Sequence, residues 1–292
     1  MGLSAATSAQ LARAGLDPGA VEELARRTVA EDLAGGVDVT SVATVPAELV
    51  GTAAFVPRAD GVVAGSAVAM ACVEVVGAVE WLVVRGDGAA VSGESVLEVT
   101  GPVRTLLTAE RSALNLLCHL SGVATLTRIW VDAVAGTGAA IRDTRKTTPS
   151  LRMLEKYAVR VGGGVNHRMG LSDAALVKDN HVVAAGGVAK AFEAVRRSFP
   201  DLEVEVECDT VEQVVEVVAA GADLVLLDNM SLEQMTRSVE VCRSRGVRSE
   251  ASGGLTLNRA LAVARTGVDY LSVGALTHSA PVLDLGLDLR LR

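Results

Sequence analysis

Aromatic side chains are scarce in this sequence. Phe55, Trp81, Trp130, Tyr157, Phe192, Phe199 and Tyr270 are all it has. Proteins that hold single-stranded nucleic acid usually stack its bases on aromatic platforms, and this chain has few rings to offer. Positive charge is also in deficit: 27 Lys and Arg stand against 35 Asp and Glu, a formal net charge of −8. That balance disfavours a polyanion spread over a broad surface, so no nucleic-acid partner is expected. Cysteine is limited to Cys72, Cys118, Cys208 and Cys242, none in a C-x-x-C pair. Such spacing reads as buried, reduced thiols of a cytoplasmic protein. Long apolar runs are missing. The longest uncharged stretch, Ser112 to Thr127, is too short for a membrane span and contains Asn115, His119 and Ser121. The opening MGLSAATSAQLARAG has no basic start followed by an apolar run, so neither a signal peptide nor a membrane partner is expected. No G-x-G-x-x-G follows the first β-α strand, which weakens a dinucleotide-binding reading.

What is present is an uneven distribution of cations. Between Arg142 and Arg168 stand seven: Arg142, Arg145, Lys146, Arg152, Lys156, Arg160 and Arg168. Only Asp143 and Glu155 oppose them in that stretch. Two like charges about 6 Å apart repel by roughly 3 kcal/mol at an effective dielectric near 20. A polyanionic ligand would turn that repulsion into attraction. A surface origin competes for part of the set: Arg152, Lys156 and Arg160 fall at i, i+4 and i+8, the spacing of a solvated helix face.

The 292 residues, half of them hydrophobic, suffice for one large α/β domain or a large and a small one, with a core of Ala, Val and Leu. Residues 18–34 read as an amphipathic helix ending before Gly35-Gly36. GTAAFVPR, EWLVVR and ESVLEVTG read as strands, with GSAVAMACVEVVG as a helix between the first two, an α+β unit. Residues 105–135 are helical in period. After residue 138 apolar strands alternate with helices: AAIRD and a helix from about Pro149, AALVKD and 188–198, EVEVEC and 211–220, DLVLLDN and 231–245, RSEASGG and 256–265, then DYLSVG. Six such strands imply parallel pairing with right-handed crossovers, which a doubly wound sheet and an α/β barrel both satisfy.

In barrels the chemistry collects at the carboxyl ends of the strands. Those ends carry Thr144-Arg145-Lys146, then Lys178-Asp179-Asn180-His181, Glu207, Asp228-Asn229, Ser252-Gly253-Gly254 and Ser272-Val273-Gly274. Arg and Lys suit carboxylates and phosphates. Glu207 and Asp228 are hard oxygen donors that, with phosphate oxygens and water, suit Mg²⁺. A glycine turn before a helix lets backbone N–H groups approach a phosphate. Each signal alone has a plainer origin. Glu207 or Asp228 could cap the next helix, His167 and His181 could be structural, and Cys208 has no visible base and reads as a buried thiol. The ordered combination points to a phosphorylated, Mg²⁺-bound compound and a second anionic molecule as ligands.

The combination also resembles a known family. DTRKTTPSLRMLEKYAVRVGGGVNHRMGLSDAALVKDNH, AERSALNLLCHLSGVAT, EVEC, LLDNM, SGGL and SVGALTHSAPVLDLGLD resemble quinolinate phosphoribosyltransferase, also called nicotinate-nucleotide pyrophosphorylase (carboxylating), and EDLAGGVDVTS resembles its N-terminal signature. The resemblance covers nearly the whole chain. It implies a pentosyltransferase of NAD biosynthesis that uses Mg²⁺ and converts quinolinate and 5-phosphoribosyl-1-pyrophosphate to nicotinate mononucleotide, pyrophosphate and CO₂. It implies an incomplete, open α/β barrel of six or seven parallel strands over 118–275, beside an α+β open sandwich over 1–117 that the C-terminal segment 276–292 joins. It implies a homodimer, open to further association, with Arg111 reaching the partner's site. Arg145, Lys146, His167, Arg168 and Lys178 would line the quinolinate and pyrophosphate pocket, and Thr144 would add a hydrogen bond. Glu207 and Asp228 would meet the ribose and Mg²⁺. Ser252, Gly253, Gly254, Ser272, Val273 and Gly274 would hold the 5′-phosphate. Lys146, Lys178, Glu207 and Asp228 are the expected catalytic set. Two departures stand out: Ser150 replaces the family's usual Gly, at a position read as a helix start, and the loop Gly35–Asp38 is longer than usual. The rival readings are a molybdenum-transport-associated paralogue of the same fold and a non-catalytic sensor of phosphoribosyl ligands.

Overall fold

The structure, a computed structural model, describes residues 2–291. Contacts divide the chain into two units. One comprises Met1–Leu126, Pro149–Gly162 and Ser279–Arg292, the other Thr127–Thr148 and Gly163–His278.

The first unit is built on an antiparallel sheet. It holds α1 (Ala5–Arg13), α2 (Pro18–Leu33), α3 (Val39–Thr44), β1 (Val50–Pro57), β2 (Gly61–Val62), α4 (Ser66–Glu74), β3 (Glu80–Val83), β4 (Ala90–Val91) and β5 (Leu97–Pro102). The long helix α5 (Val103–Ala133) follows. The last strand of the chain, β12 (Leu285–Leu291), returns to this unit and gives the order β12-β1-β5-β3. Phe55 sits opposite Leu97 on one side and Leu287 on the other. Strand β5 alternates buried and half-exposed residues, the period-two pattern of a strand with one covered face. Helix α4 is buried along nearly its whole length and packs on α1 and α2. Its last residue, the buried Glu74, accepts hydrogen bonds from Ser4 N–H (2.8 Å), Ser4 Oγ (2.8 Å), Thr7 Oγ1 (2.7 Å) and Trp81 Nε1 (3.0 Å). One carboxylate thereby anchors α1 and β3 together.

The second unit alternates strand and helix. It contains β6 (Ala140–Arg142), β7 (Ala175–Val177), α7 (Asp179–Ala185), α8 (Val188–Ser198), β8 (Val204–Cys208), α9 (Val211–Ala219), β9 (Leu224–Asp228), α10 (Leu232–Ser244), β10 (Arg248–Ser252), α11 (Leu257–Ala264), β11 (Tyr270–Ser272) and the single turn α12 (Ala275–His278). All six strands are parallel, in the order β6-β11-β10-β9-β8-β7. Successive strands from β7 to β11 are neighbours and β11 closes onto β6. Among the described residues β6 and β7 do not pair, so this is a barrel left open between its first two strands. An isolated parallel bridge from Arg142 to Val165 borders the gap.

Three local readings change. Helix α6 (Arg152–Val161) starts three residues after Pro149 and belongs to the first unit, outside the β-α series of the second. Ser150 lies outside the helix at φ +68°, a left-handed conformation that glycine adopts without steric cost. That explains the family's Gly there better than a helix start does. Lys156, expected on a solvated face, is fully buried, with Leu154, Tyr157, Ala158 and Val159 buried around it. Of the three cations on α6, Arg160 is exposed, lies over the Tyr157 ring and donates to Ala14 O. A sequence stripe cannot distinguish solvent from a second packed layer.

Candidate active site

The carboxyl ends of the barrel strands surround a polar cleft of about 480 Å³. Thr144 and Lys146 come from the loop after β6, Lys178 from the end of β7, and Glu207 from β8. Asp228 and Ser252 close β9 and β10 and sit level with each other in the sheet register. Gly253 and Gly254 follow, and Ser272, Val273 and Gly274 complete the wall. Parallel pairing is what brings these residues together, since every strand delivers its last side chains to the same rim.

The groups are held individually. Thr144 Oγ1 accepts from the Lys146 N–H at 3.0 Å, and Thr277 Oγ1 donates to Lys146 O at 2.8 Å. A Cβ on Gly274 would stand 3.1 Å from Lys146 Cδ and 3.2 Å from His278 Nε2, so this glycine makes room for both side chains. Lys178 Nζ donates to Glu207 Oε2 at 2.8 Å. The Lys178 N–H donates to His181 Nδ1 at 2.9 Å, the capping role left open for that histidine. Neither acid is a helix cap: Thr210 caps α9 and Ser231 caps α10. Glu207 and Asp228 therefore remain at the cleft. Burial pushes the Cys208 thiol well above its ordinary range, which agrees with an inert core cysteine.

Beneath the rim lies a buried polar layer that sequence reasoning did not foresee. Arg142 Nη1 donates to Glu250 Oε2 at 2.5 Å, and the guanidinium lies 4.8 Å from the Tyr270 ring centre. The Ser272 hydroxyl donates to the other oxygen of Glu250, so this side chain is turned inward. His167 faces the same layer. Its N–H donates to Asp143 Oδ1 at 2.8 Å, and its Nδ1 accepts from the Arg168 N–H at 2.7 Å. Nε2 must then carry the ring proton, and it points to Glu205 Oε2 at 2.8 Å. The ligand atoms of His167, Glu205 and Glu250 lie within 4.8 Å of one another. A protonated Nε2 cannot ligate a metal, so this layer is a hydrogen-bonded network. The sequence signal for it was the presence of Glu205 and Glu250 within the strands β8 and β10.

His167 and Arg168 line a second cavity of about 220 Å³, with Arg142, Asn166, Glu203 and Glu205 among its other walls. Arg168 Nη1 donates to Ala174 O at 2.9 Å, while its Nε is buried without a hydrogen-bond partner. Burial, then the neighbouring charge of Arg145, holds the Arg168 guanidinium below its usual range. A buried donor beside a like charge favours an anion. The sequence-derived set is thus divided. Thr144, Lys146, Lys178, Glu207, Asp228 and the two glycine-containing turns share the larger cleft, while His167 and Arg168 face the smaller cavity. Arg111 is exposed on α5 in the first unit. His278 and Asn229 also line the cleft and were not singled out.

Residues 38–121 match the family described as quinolinate phosphoribosyl transferase, N-terminal domain, and residues 123–288 match its C-terminal domain. The nicotinate-nucleotide pyrophosphorylase (carboxylating) of Mycobacterium leprae is 53% identical over 276 residues, covering 92% of this chain and 97% of that protein. The Homo sapiens protein of the same name is 45% identical over 199 residues, 66% of this chain and 67% of that one. The crystal structure of NadC from Streptococcus pyogenes superposes with a TM-score of 0.91 at 38% identity, over 95% of this chain and 99% of that one. Human nicotinic acid phosphoribosyltransferase, at 12% identity and a TM-score of 0.65 over 90% of this chain and 73% of that one, shares the fold alone.

Proposed function

We infer, for a chain that belongs to the quinolinate phosphoribosyl transferase family, that it transfers the phosphoribosyl group of 5-phosphoribosyl-1-pyrophosphate to quinolinate with decarboxylation. The products are nicotinate mononucleotide, pyrophosphate and CO₂, which makes the chain a pentosyltransferase of NAD biosynthesis. The observation that carries this reading is one cleft lined by Lys146, Lys178, Glu207, Asp228 and two glycine-containing turns.

Each wall has its part. The backbone at Gly253-Gly254 and Gly274 offers N–H groups to the 5′-phosphate. The inward turn of Ser272 leaves its backbone, and not its hydroxyl, for that role. Glu207 and Asp228 accept from the ribose hydroxyls. Lys146 and Lys178 attract the pyrophosphate and stabilise its charge as the C1–O bond breaks and the sugar carbon becomes cation-like. Arg145 and Arg168 hold quinolinate, the buried Nε of Arg168 being suited to a carboxylate, with His167 keeping the backbone at Arg168 in place. The pyridine nitrogen then attacks C1. In the resulting pyridinium the bond to the 2-carboxylate breaks and CO₂ leaves, the electron pair stays on C2 where the adjacent ring cation stabilises it, and that carbanion then takes up a proton.

The donor set fits Mg²⁺: Glu207 and Asp228 are hard oxygen ligands from adjacent strands, and each has one oxygen engaged by a neighbour and one left to offer. They would hold the ion largely through substrate phosphate and water. When bound, it supplies charge neutralisation for the leaving pyrophosphate. The proposal extends to a cytoplasmic homodimer in which Arg111 completes the partner's site.

The test is one assay of purified protein with 5-phosphoribosyl-1-pyrophosphate, Mg²⁺ and either quinolinate or nicotinate. Release of CO₂ and pyrophosphate is expected with quinolinate only. Ligand binding without pyrophosphate release would instead indicate a sensor, and turnover of neither acid would favour the paralogue. If Lys146→Ala and Arg168→Ala both kept wild-type turnover and quinolinate affinity, the residue assignment would be refuted.

A further inference from the structure

We propose that Asn229 is a positioning residue: it selects which oxygen of Asp228 faces the cleft and ties that acid to the glycine turn after β10. The proposal rests on the reading of the cleft as a phosphoribosyl site.

Asn229 follows the last residue of β9 and has φ +53°, one of three non-glycine residues with positive φ among those described. Asn tolerates this conformation better than most side chains. The bend carries its groups in three directions. Its backbone N–H donates to Ser252 O at 3.1 Å. Its Nδ2 donates to Asp228 Oδ2 at 2.6 Å. Its Oδ1 lies 2.2 Å from where a Cβ on Gly253 would be. The orientation of the amide is fixed by chemistry: a carboxylate only accepts, so the nitrogen faces Asp228 and the oxygen faces Gly253. Gly253 therefore lacks a side chain because Asn229 occupies that space.

Two consequences follow. Asp228 Oδ2 is committed, so Oδ1 is the atom offered to the ligand, and Asp228 acts as a one-oxygen donor. Such a donor suits a sugar hydroxyl or Mg²⁺, which keeps several waters, and suits Ca²⁺ less, since Ca²⁺ readily takes both oxygens of a carboxylate. Because one side chain touches both the acid and the glycine turn, the sugar-hydroxyl end and the phosphate end of the cleft keep a fixed spacing.

The test uses Asn229→Gly, which keeps the left-handed backbone and removes the amide, and Asn229→Asp, which keeps the shape and replaces the donor with an acceptor. Binding of 5-phosphoribosyl-1-pyrophosphate is measured by titration calorimetry in Mg²⁺ and in Ca²⁺, with melting temperature as a control. Affinity in Mg²⁺ should fall about tenfold in Asn229→Gly, the scale of one charge-assisted hydrogen bond, and further in Asn229→Asp. The ratio of affinity in Mg²⁺ to that in Ca²⁺ should shrink in Asn229→Gly, while the melting temperature and the KM for quinolinate stay near wild type. Wild-type affinity and an unchanged ratio in either variant would overturn the proposal. Failure of the wild-type protein to bind the phosphoribosyl compound would overturn the functional reading, and the proposal with it.

Discussion

Replacing Glu205 with glutamine should make the protein less sensitive to alkaline pH. Glu205 sits on β8 with its side chain buried. One oxygen accepts from His167 Nε2, and the other has no hydrogen-bond partner. Burial pushes its carboxyl up to about 7 from an ordinary 4.5, against the opposing pull of the Arg142 charge. A raised carboxyl pKa means that the native state keeps a proton the unfolded chain has released. Stability from this group is therefore complete below pH 4.5 and is lost as pH rises through 7. Between pH 5.5 and 8.5 the loss integrates to about 2 kcal/mol. Glutamine has no proton to lose and can still accept from His167. Thermal unfolding of both proteins at the two pH values reads the effect, and the buried Glu250, whose carboxyl the Glu205 charge helps to raise, is relieved in the same variant and shifts the comparison in the same direction. At roughly 3 °C per kcal/mol for a protein of this size, the wild-type melting temperature should fall by about 6 °C more than that of Glu205→Gln. Parallel pH profiles would refute the claim that Glu205 is buried in need of a proton.

Ser150→Gly should stabilise the protein by about 0.5–1 kcal/mol by relieving the left-handed backbone at φ +68°, raising the melting temperature measured by calorimetry. Gly253→Ala places a Cβ against Asn229 Oδ1 and at a positive φ, so turnover should drop by about a hundredfold or more in steady-state assays, with the secondary structure retained by circular dichroism. Glu74→Ala leaves the donors of Ser4, Thr7 and Trp81 without their shared acceptor. The expected destabilisation is about 3 kcal/mol, with early proteolysis of α1 in limited digestion.

The order of elements was legible because it depends on local periodicity. The six strands of the barrel, AAIRD to DYLSVG, showed as short apolar runs bounded by turns, and their alternation with helices already required parallel pairing. Helix α7 was missed. It is short, carries no apolar stripe and starts at Asp179, with only its cap Lys178 between it and β7. The residues of the cleft were legible for a related reason. In a parallel barrel, chain position at a strand end translates directly into spatial position, so Thr144, Lys146, Lys178, Glu207, Asp228 and the glycine turns could be grouped before any coordinates. His278 was not, because it lies a turn beyond the last strand end and reaches the cleft only through the space left by Gly274.

By itself the sequence determined the alternation of strand and helix, the chemistry at each strand end and the scarcity of rings that turns recognition toward charge. Tertiary structure decided which charges are inside. It buried Lys156 on a stripe that spacing reads as solvated, turned Ser272 and His167 into the polar layer, and set Asn229 across Asp228 and Gly253. Periodicity records the neighbours that the chain itself supplies within a few residues. The direction of a side chain and its cover depend on partners tens of residues away, and only the packed fold brings those together.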